Sequence, residues 1–490
     1  MILKNISKKT KYKDYLRCAK LNIIFTSALI YTMITILIIY IWIFQLENFS
    51  IQFLFLNNNN NNDMKIYQTN FNFDIQYDDL INVKVPEGPI IGVLMIACNR
   101  TLLLSKSLEE LIQIRKDTQK RFVNRYGEKA KILSSSPNIT ITVRNYTKLS
   151  QMLRLPIVVS LDCDDRFTYR MVKSKKTDEY GDGVQQILRY PLASQRVGNL
   201  KKVEIPLEGY FRIARHYQWA IEQTFTQHPS LSQLIIVEED LSFGPDFFEY
   251  FLSLSPLLAN DLTLICISAW NDNGKSGLIL YDNENTNGAG IRLLYRTDFF
   301  PGLGWMLRRS TWFGELRDTW PKAYWDDWLR HSDQMKGRQC IRPEVPRTST
   351  RGRIGVSKGQ YFDHHLKYIQ HGDHYEQFFD RQRQLFTELN STQYRDSFHL
   401  KVYQTSVEIH PIKLKHIQSK KDNSENGSYR MTYYTKAEFE WIANIFGLMS
   451  DFKHGIPRTA YIGVVSFLYR GHRVYLAPPI SRKIYIKQWK

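Results

Sequence analysis

The sequence predicts an α/β layered domain with a mostly parallel sheet, a smaller domain after it, and a single membrane-spanning helix in front. Three observations carry that reading. Short apolar runs alternate with helical stripes between residues 90 and 269. The texture changes after residue 380 to a connector rich in Gln and Tyr, a charged loop at 416–428 and a possible hairpin around Gly471. Between Lys20 and Glu47 no residue is charged.

That uncharged stretch, Leu21 to Phe44 within a predicted anchor of 21–45, is long and apolar enough to cross a bilayer as a helix. The segment before it carries Lys4, Lys8, Lys9, Lys11, Lys13, Arg17 and Lys20 against Asp14, so residues 1–20 are expected in the cytoplasm and the rest beyond the membrane. A cleaved signal peptide has a shorter apolar region ending in a small-residue site, which this segment lacks. Residues 46–85, with the run Asn57 to Asn62, read as a low-complexity stem. Folding is expected from near Pro86, with a larger α/β domain over 86–380 and a small α+β domain over 381–490.

A net charge of +18 and a pI near 9.4 would suggest nucleic acid in a nuclear protein. Luminal placement argues against a nucleic-acid partner. Part of the excess lies in the tail and part in loops 327–353 and 411–421, where a solvated surface is the plain reading.

The expected order is strand 90–97, helix 105–122, strand 156–161, helix 209–226, strand 233–238, helix 245–257 and strand 262–269. In the helix over 209–226, Tyr210, Ile213, Ala214, Tyr217 and Ile221 form one stripe that reads as core. His216 on the same helix reads, alone, as an exposed histidine. Beyond the membrane, Cys98, Cys163, Cys266 and Cys340 sit in an oxidising compartment and allow three pairings. If 90–97 and 156–161 are neighbouring parallel strands, Cys98 and Cys163 lie at the same end and could be bridged, leaving Cys266 with Cys340. Asn138, Asn145, Asn390 and Asn426 each open a glycosylation sequon.

Three segments carry chemistry. In LIIVEEDLSF (234–243) an apolar strand ends in Glu238, Glu239 and Asp240, so carboxylates emerge at the carboxyl edge of a sheet, where open α/β folds bind ligands. Their oxygens suit a hard divalent ion such as Mn²⁺ or Mg²⁺ bridging to a diphosphate. The plain alternative is a solvated loop with Ser242 capping the next helix. In YWDDWLR, Asp326 and Asp327 stand between Trp325 and Trp328, where indoles would desolvate a carboxylate, raise its pKa and strengthen it as a base. A helix-start aspartate is the alternative. In STRGRIGVSKGQ (349–360), Gly352, Gly355 and Gly359 lie among Arg351, Arg353 and Lys358, a loop able to close over phosphates or merely an exposed connector.

These segments, in this order, resemble the luminal β-1,2-N-acetylglucosaminyltransferase family typified by N-acetylglucosaminyltransferase I. The resemblance runs from about Ile90 to Pro479 through IARHYQWA (213–220), VEED (237–240), DFFEYF (246–251), SAWNDNGK (268–275), YRTDFFPGLGW (295–305), PKAYWDDW (321–328), GVSKGQYFDHHLKYI (355–369) and RGHRVYLAPP (470–479). It implies a glycosyltransferase A-type fold with a small C-terminal domain, Golgi anchoring as a single-pass type II protein, and Mn²⁺ as cofactor. It also implies inverting transfer of GlcNAc from UDP-GlcNAc to the 2-hydroxyl of an α-mannose, here the α-1,3 arm of a high-mannose N-glycan. By position, Asp240 would ligate the metal, Glu239 face the ribose and Glu238 contact the transferred sugar. Arg100, Asp162 and His216 would hold the uridine diphosphate, Leu303 and Trp325 line the GlcNAc pocket, Asp326 act as base, and Val356 and Ser357 belong to the closing loop. Cys98–Cys163 and Cys266–Cys340 match the family's bridges.

The sequence departs from the family pattern in three places. Glu239 stands where Asp is usual. Asn99 replaces an Asp and creates the sequon Asn99-Arg-Thr101, whose use the bridge at Cys98 and burial of the turn are expected to block. Extra residues at 123–150 and 276–292 are expected to be surface loops. Two rivals remain: transfer to O-linked mannose, whose enzymes usually carry an added stem domain that 46–85 is too short to supply, and a luminal lectin of the same fold. Asp240 and Asp326 are both present, which speaks against the lectin.

Overall fold

The computed structural model describes residues 90–127, 152–178, 181–191, 204, 207–281, 288–419 and 427–480. All of them belong to one compact unit, Asp74–Lys490. The tail, the anchor 21–45, the stem 46–85, and Asn138, Asn145 and Asn426 lie outside the described residues. Among the described residues, no helix is long and apolar enough to cross a membrane.

The chain enters through β1 (Ile91–Ala97), buried along its whole length because both faces are covered. Helix α1 (Thr101–Phe122) follows, then β2 (Ile157–Leu161), α2 (Arg166–Ser174), β3 (Gln186–Arg189), α3 (Glu208–Gln227), β4 (Gln233–Glu238), β5 (Leu241–Phe243), α4 (Phe247–Asn260) and β6 (Leu264–Ser268). Strands β7 (Leu294–Thr297) and β8 (Trp305–Arg308), helix α5 (Trp325–Arg330), and strands β9 (Gln339–Pro343) and β10 (Thr348–Thr350) complete the first part. The main sheet has eight strands in the order β3-β2-β1-β4-β8-β6-β9-β7. The expected mostly parallel sheet is instead mixed. β1, β2, β3 and β4 run parallel, as do β6 and β9, while β8 pairs antiparallel with β4 and β6, and β7 antiparallel with β9. β3, β7 and β8 are four-residue strands, too short for a periodic signal to stand out.

After β10, helix α6 (Ser391–His399) precedes β11 (Val407–Glu408), β12 (Tyr429–Thr432), α7 (Lys436–Phe446), β13 (Phe452–Lys453), β14 (Ile456–Pro457), β15 (Val465–Tyr469) and β16 (His472–Ala477). β15 and β16 form the hairpin expected around Gly471, inside a four-stranded sheet ordered β11-β12-β16-β15. Helix α7 closes one face of that sheet with Phe439, Ile442, Ala443 and Phe446, and Thr435 with Glu438 forms a capping box at its start. Phe378, Leu385, Leu389 and Phe398 pack instead into the large core under the main sheet.

The loop expected on the surface at 276–292 is partly internal. Leu278, Ile279 and Ile291 are buried, Leu278 in the core beneath α7. Of the other extra segment, Val123–Gly127 extends helix α1 and the remainder lies outside the described residues.

Ala97 is in register with Leu161, which brings the strand ends together and closes Cys98–Cys163. Cys266 and Cys340 are direct register partners on β6 and β9 and form the second bridge, with Cα atoms 4.7 Å apart. Each bridge ties positions 65 or 74 residues apart, so its loss should cost about 2–5 kcal/mol. We expect non-reducing peptide mapping to find these two pairs and reduction to lower the melting temperature. A Cys98–Cys266 peptide would contradict the register.

Candidate active site

β1, β2 and β4 all deliver their ends to one carboxyl edge: Arg100 follows β1, Asp162 follows β2, Glu238 ends β4, and Glu239 and Asp240 follow it. The alternative of a solvated loop with a Ser242 cap fails. Ser242 lies in buried β5, which pairs antiparallel with β10 and places its hydroxyl 2.6 Å from that of Ser349.

Arg100 spans two of the acids. Its Nε donates to Glu239 Oε1 at 2.6 Å and its Nη1 to Asp240 Oδ2 at 2.7 Å. Burial works against that charge, but Asp240 and Glu239 outweigh it and hold the guanidinium above its ordinary pKa. The other Glu239 oxygen accepts the Cys98 N–H at 2.8 Å. Asp240 also touches the glycine-rich loop: a Cβ at Gly352 would overlap Asp240 Oδ2, and the Arg351 N–H donates to the Asp240 carbonyl. Only glycine lets the loop backbone come so close. Arg100 Nη1 reaches the Ile354 carbonyl at 3.2 Å, and Val356 packs against Gly209 at the start of α3. Ser357 is exposed on the same loop.

Glu238 faces a second group of residues. Its Oε1 accepts from the Tyr217 hydroxyl at 2.5 Å. Burial, then Asp240, push the carboxyl up to about 7. Tyr217 stacks on Trp325 at 4.3 Å, and Trp325 stacks on Trp305 and Trp320, each at 5.8 Å. Trp325 is buried in that layer. The next residue, Asp326, is close enough to Glu238 and Tyr217 for its charge to bias both.

The expected rise in the Asp326 pKa does not occur. Burial does push upward, but Arg330, one turn along α5, donates to Asp326 Oδ2 at 2.7 Å and brings the carboxyl below the usual aspartate value. Arg330 is itself fixed by donating Nε to the Phe300 carbonyl at 3.0 Å. The Asp326 side chain remains 45% exposed, so its carboxylate is charged and reachable. Asp327 turns elsewhere, toward His454 at 3.3 Å and Lys453 at 3.7 Å. Both aspartates lie in the first turn of α5, as the helix-start reading expected.

His216 is the clearest departure from its plain reading, because it is buried rather than exposed. Its Nε2 lies 2.7 Å from Ser160 Oγ and its Nδ1 4.0 Å from Asp162 Oδ2. Burial, then Arg215, lower its pKa to about 3, so the ring is neutral. Burial raises Asp162 to about 6 against the pull of Arg212 and Arg215. Asp162 Oδ1 is buried and accepts no hydrogen bond. Leu303 stands in a left-handed conformation, φ 48°, between Gly302 and Gly304, and its carbonyl accepts from Thr348 Oγ1.

Asn99 is exposed, contrary to the expected burial of that turn, and lines an open cavity of about 560 Å³ with Thr101, Cys163, Asp164, Asp165 and Phe167. The Thr101 hydroxyl is engaged by Thr168 at 2.6 Å.

Tyr217 and Arg330 were not legible as site residues. Tyr217 was hidden in an apolar stripe. Arg330 carried only the i,i+4 spacing from Asp326, which most exposed helices also show.

Among the described residues no three His, Cys, Asp or Glu side chains converge as a cage for a metal ion. Asp240 nevertheless offers a hard anionic oxygen beside a cradle that only glycine leaves open. Asp240 is the residue that would hold such an ion.

The GNT-I family matches residues 138–489. The chain is 40% identical over 330 residues to an alpha-1,3-mannosyl-glycoprotein 2-beta-N-acetylglucosaminyltransferase of Arabidopsis thaliana, covering 67% of this chain and 68% of that one. Among solved structures, a Pyrobaculum calidifontis mannosyltransferase in complex with GDP-Man and Mn²⁺ overlaps 53% of this chain and 58% of its own, at 13% identity and a TM-score of 0.27. A glycosyltransferase involved in the glycosylation of the PBCV-1 major capsid overlaps 56% of this chain and 98% of its own, at 8% identity and a TM-score of 0.17. Likenesses that low carry no argument. The family match and the Arabidopsis relative do: this chain belongs to the GNT-I family and is a glycosyltransferase, an N-acetylglucosaminyltransferase.

Proposed function

We propose that this chain transfers GlcNAc from UDP-GlcNAc in β-1,2 linkage to the α-1,3 arm mannose of a high-mannose N-glycan, by a metal-dependent inverting displacement on a glycosyltransferase A-type fold. The observation that carries the mechanism is the pairing of two separate carboxylate groups at one sheet edge. Glu239 and Asp240 are bound to Arg100, while the charged, reachable Asp326 is within electrostatic reach of Glu238.

In this reading the neutral His216 and Asp162 receive the uracil. Asp162 Oδ1 is a buried acceptor without a donor, and the imide N–H of uracil would satisfy it. Glu239 faces the ribose and Arg100 the diphosphate. Glu238, steadied by Tyr217, accepts from a hydroxyl of the transferred sugar, with Leu303 and Trp325 behind that sugar. Val356 and Ser357 belong to the loop that covers the diphosphate, whose inner edge already rests on Asp240 and Arg100. Asp240 would hold Mn²⁺, which when bound offsets the charge gathering on the departing diphosphate. Asp326 takes the acceptor proton as the new bond forms, so no protein nucleophile is needed. The Golgi lumen, a type II anchor over 21–45 and a catalytic domain over 86–380 with a C-terminal domain over 381–490 complete the proposal.

The test is an incubation of the purified full-length chain with UDP-GlcNAc, Mn²⁺ and either a five-mannose N-glycan or an O-mannosyl peptide. Transfer to the N-glycan alone is expected. Transfer to the peptide alone would favour the O-mannose rival, and transfer to neither would favour the lectin.

A consequence concerns pH. Because Arg330 holds the Asp326 carboxyl low, the base form persists below the ordinary aspartate range. Replacing Arg330 by Met removes the largest opposition to burial and leaves only the backbone N–H groups of Asp326 and Asp327, so the carboxyl protonates at higher pH. The acid limb of the kcat/KM profile should move to higher pH, as removal of a close opposite charge requires. Arg330→Lys should restore part of the shift. An unmoved limb would show that Arg330 does not set the base.

A further inference from the structure

The aromatic layer around Trp325 does not stop at the core. Trp325, Trp320 and Trp305 are buried and explained by packing, but the residue just before Trp325 is Tyr324, whose ring stacks on that of Tyr210 at 4.5 Å with 29° between their planes. Tyr324 is 40% exposed. Its backbone is left-handed, φ 53° and ψ 46°, a conformation that bulky residues avoid unless the surrounding structure holds them there. Tyr210 lies in the first turn of α3, beside the Gly209 contact with Val356. Burial, then Tyr324 and Asp326, raise the Tyr210 pKa, so this hydroxyl is within electrostatic reach of Asp326.

An exposed tyrosine in a strained turn, stacked on the half-buried Tyr210 and two residues before the carboxylate proposed as the acceptor base, is not required by the core. Pyranose rings present apolar C–H faces to aromatic rings and hydroxyls to their edges. Two peptide steps separate Tyr324 from Asp326, at most about 7.6 Å between Cα atoms. That span is long enough to reach the neighbouring sugar of the acceptor.

We propose that Tyr324, backed by Tyr210, is the stacking platform for the second sugar of the acceptor, the mannose to which the reacting mannose is linked. The site then selects an oligosaccharide over an isolated α-mannoside. This rests on the reading of Asp326 as the base on the acceptor side.

The experiment compares a five-mannose glycan with methyl α-mannoside, each with UDP-GlcNAc and Mn²⁺, in the wild-type full chain, Tyr324→Gly and Tyr324→Phe. Glycine is at ease at this φ, so the ring is removed without straining the turn. The ratio of kcat/KM for glycan over methyl mannoside should fall about tenfold in Tyr324→Gly, through the glycan KM, and stay near wild type in Tyr324→Phe; stacking on one aromatic ring is worth about that much. An unchanged ratio, or an equal loss on both acceptors, overturns the platform. A wild-type chain that uses neither acceptor overturns the functional reading itself, and a glycan no better than the monosaccharide overturns only the platform.

Discussion

We expect Asp240→Asn to abolish Mn²⁺-dependent UDP binding while the protein stays folded. The substitution keeps volume and shape, so Gly352 can still approach and the β5–β10 pairing should persist. What it removes is the anionic oxygen. A hard divalent cation drawing one ligand from the protein loses the anionic oxygen it prefers, and the adjacent Glu239 is already engaged by Arg100 and the Cys98 N–H. In the free protein the same oxygen is held by Arg100 at 2.7 Å, so binding must also loosen that pair. Arg100 keeps Glu239 as its partner at 2.6 Å, which limits the cost of the mutation to the fold. Calorimetry of UDP in the presence and absence of Mn²⁺ is the measurement, with a thermal melt as the control. A mutant with wild-type UDP affinity that still responds to Mn²⁺ would remove Asp240 from the metal site.

The positions of these acids were legible in the sequence because a strand running into a carboxylate triplet announces itself. β4 is apolar up to Val237, and its end fixes where Glu238, Glu239 and Asp240 must emerge. The bridge between Cys98 and Cys163 was legible for the same reason, since two buried strands ending together leave little choice of partner. Strand β8 was not. Four residues inserted antiparallel between β4 and β6 leave no period to read, and they turn a parallel sheet into a mixed one. The environment of His216 was hidden too, because helix spacing cannot tell a histidine that packs on Ser160 from one in water. The direction of the Asp326 shift was misjudged because neighbouring indoles are visible in the sequence, whereas the geometry of Arg330 one turn later is not. Tyr217 illustrates the same limit: its ring belongs to the stripe that predicted core, and its hydroxyl belongs to Glu238.

Asp326→Asn separates chemistry from binding. Asparagine retains an oxygen to accept from Arg330, so the side chain should hold its place and α5 should remain intact. It cannot take a proton. If Asp326 is the base, UDP-GlcNAc affinity should stay within a few-fold of wild type while kcat on a mannose-terminated acceptor falls about 10²–10⁴-fold, the usual cost of losing a positioned base. Asp327 supplies the control one residue along. Its carboxylate turns toward Lys453 and His454 rather than Glu238, so Asp327→Asn should change kcat far less. The neighbouring Glu238 is the competing candidate, since burial lifts its carboxyl to about 7, where it too could accept a proton. Its hydrogen bond from Tyr217 occupies one oxygen, which suits holding a sugar hydroxyl better than taking a proton from the acceptor. Single-turnover measurements decide between the two: if Asp326→Asn turns over at the wild-type rate and Glu238→Gln does not, the base is Glu238 and the assignment to Asp326 is wrong.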